Sequence, residues 1–115
     1  MKILITESQK EKIALNYLNK KYHPDQLEVI EHHDYPNKIF YRKDGQVIME
    51  IDKRNRYFYV DYDTIWSFFE KVFSMKDIEI QQLMNTWLEE TFNLKGFTPM
   101  EDTYERATSW KRLSI

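Results

Sequence analysis

The sequence contains no cysteine, only two glycines and three prolines, and no long apolar run. The absence of cysteine excludes disulfide bonds, cysteine-ligated zinc, iron–sulfur clusters and a thiol nucleophile. The scarcity of glycine and proline argues against long disordered linkers. The longest apolar stretch near the N-terminus is Ile3 to Ile5, which is too short for a signal-peptide core or a membrane span. We therefore expect a cytoplasmic protein that does not contact a membrane.

The chain also lacks a strong excess of either charge. It has 17 basic and 19 acidic residues and a net charge of -2. Non-specific nucleic-acid binders usually carry a clear basic excess, so this balance disfavours a nucleic-acid partner. In contrast, 42% of the residues are apolar and 16% are aromatic, and aromatic side chains bury large areas. These 115 residues therefore predict a single domain, residues 1–115, with one core.

Residues 6–22 have the pattern of an amphipathic helix. Thr6 and Gln9 have the spacing of a capping box, in which each side chain satisfies the backbone of the other residue. The apolar stripe consists of two pairs spaced by four residues, Ile13 with Tyr17 and Ala14 with Leu18. Pro24 ends the pattern because the residue before a proline is pushed out of helical conformation.

Alternating segments in the middle of the chain predict an antiparallel meander of three or four strands. Three of them lie at residues 38–43, 46–52 and 56–62, and a shorter one runs from Glu28 to His32. Asp44-Gly45 is a typical two-residue hairpin turn, so Phe40 should face Met49. The resulting core face contains Phe40, Val47, Met49, Ile51, Phe58, Val60 and Tyr62. The second face contains Ile39, Tyr41, Ile48, Glu50, Asp52, Tyr57, Tyr59 and Asp61.

Two helical patterns follow the meander. The first covers residues 63–73, with Asp63 as its N-cap, and the second covers residues 76–92, with Gly96 beyond its end as a stop. The second has an apolar stripe at helical spacing, formed by Ile80, Leu83, Met84, Trp87 and Leu88. We expect a helical hairpin packed on one sheet face, and hence an α+β fold. In the tail, Thr98-Pro99 fits a helix start and residues 108–115 fit a terminal strand; we favour an irregular stretch followed by a strand.

His23-Pro24-Asp25 follows a basic helix end, Lys20-Lys21-Tyr22, and this combination resembles the signature loop of the J-domain co-chaperones. The resemblance implies that these residues dock on a chaperone ATPase and stimulate hydrolysis, and that a long apolar-faced helix follows. The residues after Asp25 instead predict a strand and a turn. We therefore predict that the tripeptide stops a helix and caps a turn. A strand at Glu28 to His32 would exclude the co-chaperone interpretation.

The opening MKILITESQ, residues 1–9, resembles the start of many small uncharacterised proteins of tailed phages. Those proteins typically continue with a helix, a short meander and an aromatic W-x-F-F helix, as residues 63–73 do here. The resemblance implies a phage accessory or minor structural protein that acts in the bacterial cytoplasm or in the virion. It brings no established activity with it.

Histidines and carboxylates offer few candidates for chemistry. His32 and His33 fall at the end of a predicted strand, where adjacent side chains point to opposite faces, so we predict that they do not bind one metal ion. The carboxylate pairs Glu89-Glu90 and Glu101-Asp102 would diverge on a helix. The sequence has no nucleophile elbow, no HExxH and no glycine-rich phosphate loop. We expect no catalytic residue, no metal and no cofactor.

The second sheet face remains without an assigned role. We favour burial by the first helix over coverage by the tail or exposure, and an exposed aromatic face with a polar rim would mark an interface. The predicted function is a non-enzymatic interaction protein that binds a protein partner or itself. The predicted contact residues are Tyr41, Arg54, Arg56, Tyr57 and Tyr59.

The alternative function is single-stranded nucleic-acid binding by the segment from Lys53 to Tyr59, whose aromatic side chains would stack on bases. The predicted pairing argues against it. Tyr57 and Tyr59 face Asp52 and Glu50, and these carboxylates would repel phosphate.

Overall fold

The computed structural model describes residues 6–101 and 110–114. Within these ranges the fold is α+β, with an N-terminal helix, a five-stranded mixed sheet and a helical layer on one sheet face. No helix in the described ranges combines the length and the apolar character that crossing a membrane would need.

The first helix, α1 (Glu7–Tyr22), begins and ends as its sequence predicts. The Thr6 hydroxyl accepts a hydrogen bond from the Gln9 amide at 3.2 Å, and the Thr6 amide donates to the Gln9 side chain at 3.0 Å. Its buried face consists of Ala14, Leu18 and Tyr22. Ile13, which the pattern placed in the apolar stripe, is exposed.

Four strands form an antiparallel meander: β1 (Glu28–Ile30), β2 (Lys38–Lys43), β3 (Gln46–Asp52) and β4 (Tyr57–Val60). The predicted meander is therefore confirmed. A fifth strand, β5 (Thr98–Glu101), pairs with β4 in parallel. The predicted terminal strand is wrong, because residues 110–113 are helical and the strand lies earlier in the tail. Residues 102–109 and 115 lie outside the described part.

Two irregular helices connect β4 to β5. A π-helical turn (Tyr62–Trp66) leads into α2 (Ser67–Lys71), and α3 (Asp77–Trp87) continues into a π-helical turn (Leu88–Phe92). Asp61, not Asp63, caps the first of them, since its Oδ2 accepts from the Thr64 amide at 3.1 Å. Asn93, in the left-handed region, ends the second in place of Gly96.

The helical layer packs on one face of the sheet, which we call the helix-covered face. The rings of Tyr17 and Phe68 stack at 4.4 Å between centroids. The indole nitrogen of Trp87 donates to Asn19 Oδ1 at 2.9 Å and so joins α3 to α1. The predicted apolar stripe of α3 is confirmed, as all its members are buried: Ile80, Leu83, Met84, Trp87 and Leu88.

A β-bulge between β2 and β3 turns the side chains of β2 to the sheet faces opposite to those predicted. Arg42 pairs with Val47, but Tyr41, and not Phe40 as predicted, pairs with Met49, so Ile48 is an extra residue on β3. An extra residue shifts the two-residue alternation by one position and turns every later side chain to the opposite face. The predicted faces are wrong on this point: Phe40 and Val47 lie on the second face, and Ile39, Tyr41 and Ile48 pack beneath the helices.

The second face is covered by the C-terminal turn, residues 110–113, and not by α1. Trp110 is 4% exposed and packs with Phe40, Val47 and Tyr59. Its indole nitrogen donates to Glu50 Oε1 at 3.0 Å. The expectation that α1 covers this face is wrong, because α1 buries its own stripe in the helical layer.

Candidate functional site

The five predicted contact residues divide into two buried and three accessible ones. Tyr41 is 8% exposed on the helix-covered face, with its ring edge-on to Phe92 at 5.4 Å. Burial, with a smaller contribution from the charge of Glu31, raises the pKa of Tyr41. Tyr59 is buried against Trp110. The prediction that both lie on an accessible aromatic face is therefore wrong. The bulge turns Tyr41 under the helices, and the C-terminal turn covers Tyr59.

The three accessible residues lie at the connection between β3 and β4. Arg54 and Arg56 are exposed and Tyr57 is half-buried. The guanidinium of Arg56 lies 5.8 Å from the centre of the Phe97 ring, just before β5. The Thr98 amide donates to the Arg56 carbonyl at 2.8 Å and fixes this neighbourhood. We call Arg54, Arg56, Tyr57 and Phe97 the turn surface.

Phe97 was not among the predicted contact residues. It lies forty-one positions after Arg56 in the sequence. Only the parallel pairing of β4 with β5, which sets Tyr57 opposite Thr98, brings it to the turn. Proximity in sequence therefore gives no signal for this contact.

A buried aspartate holds the turn in shape. One Asp52 oxygen accepts from the Arg54 amide at 3.2 Å and from the Asn55 amide at 3.1 Å. The other accepts from Asn55 Nδ2 at 3.1 Å. Asp52 is 2% exposed, so its carboxylate is committed to these bonds. The turn surface is thus preorganised by the backbone beneath it.

The protonation of Asp52 should make the stability of the fold depend on pH. Burial acts to raise the pKa of Asp52, but hydrogen bonds from Asn55, the charge of Lys38 and the Arg54 amide outweigh it, so the pKa lies below its usual value. Between the lowered pKa of Asp52 in the native state and the usual aspartate value of about 4, the native state therefore binds fewer protons than the unfolded chain. The stabilisation is complete above the unfolded pKa and disappears as the pH falls through the folded one.

We expect Asp52→Asn to lower the free energy of unfolding at pH 7 by about 1–3 kcal/mol, because bonds to a charged acceptor become bonds to a neutral amide. The variant should also lose less stability than the wild type between pH 5 and pH 2. Urea unfolding across this range measures both effects. Asp44→Asn, at the exposed turn of the other hairpin, is the matched control and should keep the wild-type slope. Equal slopes for Asp52→Asn and the wild type would contradict this assignment.

A buried ion pair lies on the second face near the turn. Glu50 is fully buried, accepts from Trp110 and lies 3.6 Å from Lys38 Nζ. A carboxylate that already has a hydrogen-bond donor and a cation is not placed to transfer a proton to a substrate. We therefore assign Glu50 a structural role on the second face.

A concave region of about 600 Å³ lies at the C-terminal end of α1 and is lined by Tyr17, Lys20, Lys21, Gln26 and Lys43. Lys43 Nζ donates to the Lys21 carbonyl at 2.6 Å, and a hydrogen bond with Tyr17 is the main cause that raises the pKa of Lys21. Positive charges stabilise the carbonyl end of a helix. The lysines therefore have a structural role at this helix end.

The two histidine segments form similar turns. The Asp25 amide donates to His23 Nδ1 at 3.2 Å, and the chain continues into β1 instead of a long helix. This excludes the co-chaperone interpretation. His32 and His33 follow β1, which ends at Ile30, and their rings stack at 4.5 Å. The prediction that they point to opposite faces is wrong, because neither belongs to a strand.

The segment from Lys53 to Tyr59 offers little surface for stacking nucleic-acid bases. Phe58 and Tyr59 are buried, and Tyr57 is only half-exposed. Glu50 pairs with Tyr59 and Asp52 with Tyr57, as the sequence predicts. Base stacking needs accessible rings beside cations, so this geometry disfavours the nucleic-acid alternative.

The fold and the site describe a small α+β domain with a rigid, cation-bearing turn surface. Comparison with protein-family models, curated proteins and solved structures finds no match. The resemblance of residues 1–9 to tailed-phage proteins therefore rests on the sequence alone.

Proposed function

We propose that the protein is a non-enzymatic interaction module that binds a protein partner through the turn surface. One observation carries the proposal: Arg56 has a φ of 58°. This left-handed conformation costs most residues about 1–2 kcal/mol, while glycine adopts it freely. Backbone strain that persists at an exposed position is a reason to look for a role of the side chain.

Arg56 differs from the other described non-glycine residues with positive φ. These are Asp44, Ser74 and Asn93, whose short polar side chains can bond to the local backbone. Arginine has no such compensation. Its guanidinium instead lies over Phe97 at the surface. A function of this side chain would account for an arginine at this position.

The chemistry of the turn surface fits a protein partner with an acidic patch. Arg54 and Arg56 form no salt bridge with any residue in the described ranges. Arginine and tyrosine are the residue types that most often contribute large binding energies at interfaces. Because Asp52 already orders the backbone of the turn, binding costs little further backbone entropy, and the cost falls on the exposed arginine side chains.

Arg56→Asn separates binding from folding. Asparagine tolerates the left-handed region, so relief of strain should offset the lost cation–π contact and keep the stability within about 1 kcal/mol of the wild type. Partner affinity should fall about tenfold or more, as at a binding hot spot. Parallel affinity capture from the native host, with quantitative mass spectrometry, identifies proteins retained by the wild type and lost by the variant.

Lys12→Asn, an exposed change on α1, is the control and should retain the same proteins as the wild type. Retention of every captured protein by Arg56→Asn would refute the proposal. A salt-sensitive gain in anisotropy of a labelled single-stranded oligonucleotide, lost in Arg56→Asn, would instead support the nucleic-acid alternative. Self-association would appear as a concentration-dependent mass in sedimentation.

The resemblance of residues 1–9 supports a narrower proposal, that the module is a phage accessory or minor structural protein. It would then act in the host cytoplasm or in the virion. Mass spectrometry of purified particles and of infected-cell extract distinguishes these two locations. Detection of the protein in uninfected cells that carry no prophage would contradict the phage origin.

A further inference from the structure

We propose that His32, His33 and Asp34 bind a divalent transition-metal ion of the first row. These three consecutive residues lie in the connection between β1 and β2, where the Tyr35 amide donates to the His32 carbonyl at 2.9 Å and closes a turn. Each of them can offer one donor atom within 4.8 Å of the others. The site goes beyond the proposed function, because none of its three donors belongs to the turn surface, although Arg54 and Asp34 line one groove of about 220 Å³.

The carboxylate of Asp34 lies close to one nitrogen of each imidazole. Its Oδ1 is 3.2 Å from His33 Nε2, and its Oδ2 is 3.6 Å from His32 Nδ1. Donors around a tetrahedral ion with bonds of about 2.0–2.1 Å are separated by about 3.3 Å. Both distances are close to this separation, and the two imidazole donors lie within 4.8 Å of each other, so side-chain rotations are needed to bring the three donors onto one ion.

The donor set selects the class of metal. Imidazole nitrogen suits Zn²⁺, Cu²⁺, Ni²⁺ and Co²⁺, whereas Mg²⁺ and Ca²⁺ prefer several oxygen ligands. Three protein ligands leave at least one position for water. The His33 side chain is 86% exposed and that of Asp34 is 65% exposed, so an ion can enter from solvent.

The ring of His32 is held by a hydrogen bond of the turn, which ligation through Nδ1 would have to displace. Its Nδ1 accepts a hydrogen bond from the Asp34 amide at 3.1 Å, so in the neutral ring this nitrogen holds a lone pair and Nε2 holds the proton. A metal at Nδ1 would replace this weak bond. Glu31, Lys38 and Lys53 line the same groove of about 230 Å³. The carboxylate adds a negative charge near the ion, and the two lysines oppose binding.

The chain contains a matched control in His23-Pro24-Asp25. There the Asp25 amide donates to His23 Nδ1 at 3.2 Å, and Asp25 Oδ2 lies 3.3 Å from the same nitrogen. The arrangement copies that of His32 and Asp34, but proline replaces the second imidazole. A single imidazole beside a carboxylate should bind the ion far more weakly.

Calorimetric titration of the untagged full chain with ZnCl₂, NiCl₂, CoCl₂ and MgCl₂ tests the site. We expect saturable binding of one equivalent of Zn²⁺, Ni²⁺ or Co²⁺, with Co²⁺ the weakest of the three, and no binding of Mg²⁺. His32→Gln and His33→Gln should each weaken Zn²⁺ binding at least tenfold. His23→Gln should leave it unchanged.

Zinc should also raise the melting temperature of the wild type and of His23→Gln, but not of His33→Gln, since a ligand that binds only the native state stabilises it. The melting temperatures without metal show whether each variant is folded. Equal Zn²⁺ affinity of the wild type and His33→Gln, or an equal loss in His23→Gln, would overturn the proposal. Binding of Mg²⁺ with similar affinity would also overturn it.

Discussion

Replacing Trp110 with alanine should lower the free energy of unfolding by about 3–5 kcal/mol, which is typical when a buried tryptophan is removed from a core. Trp110 fills the second face of the sheet against Phe40 and Tyr59. Its loss leaves a cavity there and removes the indole donor from the buried carboxylate of Glu50. Denaturant unfolding followed by far-ultraviolet circular dichroism measures the change.

Two further variants divide this effect into its parts. Trp110→Phe retains most of the apolar contact but loses the hydrogen bond to Glu50, so its cost should be smaller than that of alanine. Arg112→Ala changes an exposed residue of the same turn and should stay within about 0.5 kcal/mol of the wild type. If Trp110→Ala lowered the free energy of unfolding no more than Arg112→Ala does, the turn would not cover the sheet.

Trp87→Ala should have an effect of the same size, about 3–5 kcal/mol, on the opposite face. Trp87 is fully buried, with its ring 5.0 Å from Phe92 and 6.1 Å from Phe58 between centroids. The substitution also removes the hydrogen bond from the indole nitrogen to Asn19, which joins α3 to α1. Chemical denaturation gives the stability of the variant.

Asn85→Ala is the control for this change, because Asn85 is exposed on the same helix, and it should cost less than about 0.5 kcal/mol. A double-mutant cycle of Trp87→Phe with Asn19→Ala measures the coupling across the two helices. Additive effects in this cycle would contradict a direct bond between them. Asn19 also accepts from the Thr91 hydroxyl at 3.0 Å, so Thr91 is kept unchanged throughout.

Local patterns in the sequence predict most of the elements. The capping box of α1, the bounds of β2 and β3 and the apolar stripe of α3 each depend on residues within a few positions of one another. The structure confirms them. The same patterns place Arg54 and Arg56 at an exposed turn, where the structure also has them.

Interactions between distant segments account for the features that the sequence did not predict. The bulge at Ile48 depends on how β2 and β3 fit together, and it moves Tyr41 under the helices. Coverage of Tyr59 depends on Trp110, fifty-one positions later in the sequence. The two-residue alternation of a strand sequence contains no information about the bulge or about the contact with Trp110.

The sequence did not predict the cluster of His32, His33 and Asp34 for a related reason. The β-branched segment before it predicts a strand that reaches His32, but β1 ends at Ile30. A difference of two residues at a strand end decides whether two adjacent imidazoles point apart or stack together. Element ends are set by turn hydrogen bonds such as that from the Tyr35 amide to the His32 carbonyl, which local propensity does not specify.

The parallel pairing of β4 with β5 has a consequence for the order in which the chain folds. β1 to β4 join segments that are neighbours in sequence, whereas β5 can join only after residues 61–97 have been closed into a loop. Closing a long loop costs more entropy than closing a hairpin, so contacts of this kind form late. Because β5 brings Phe97 to Arg56, we expect the turn surface to be completed late in folding.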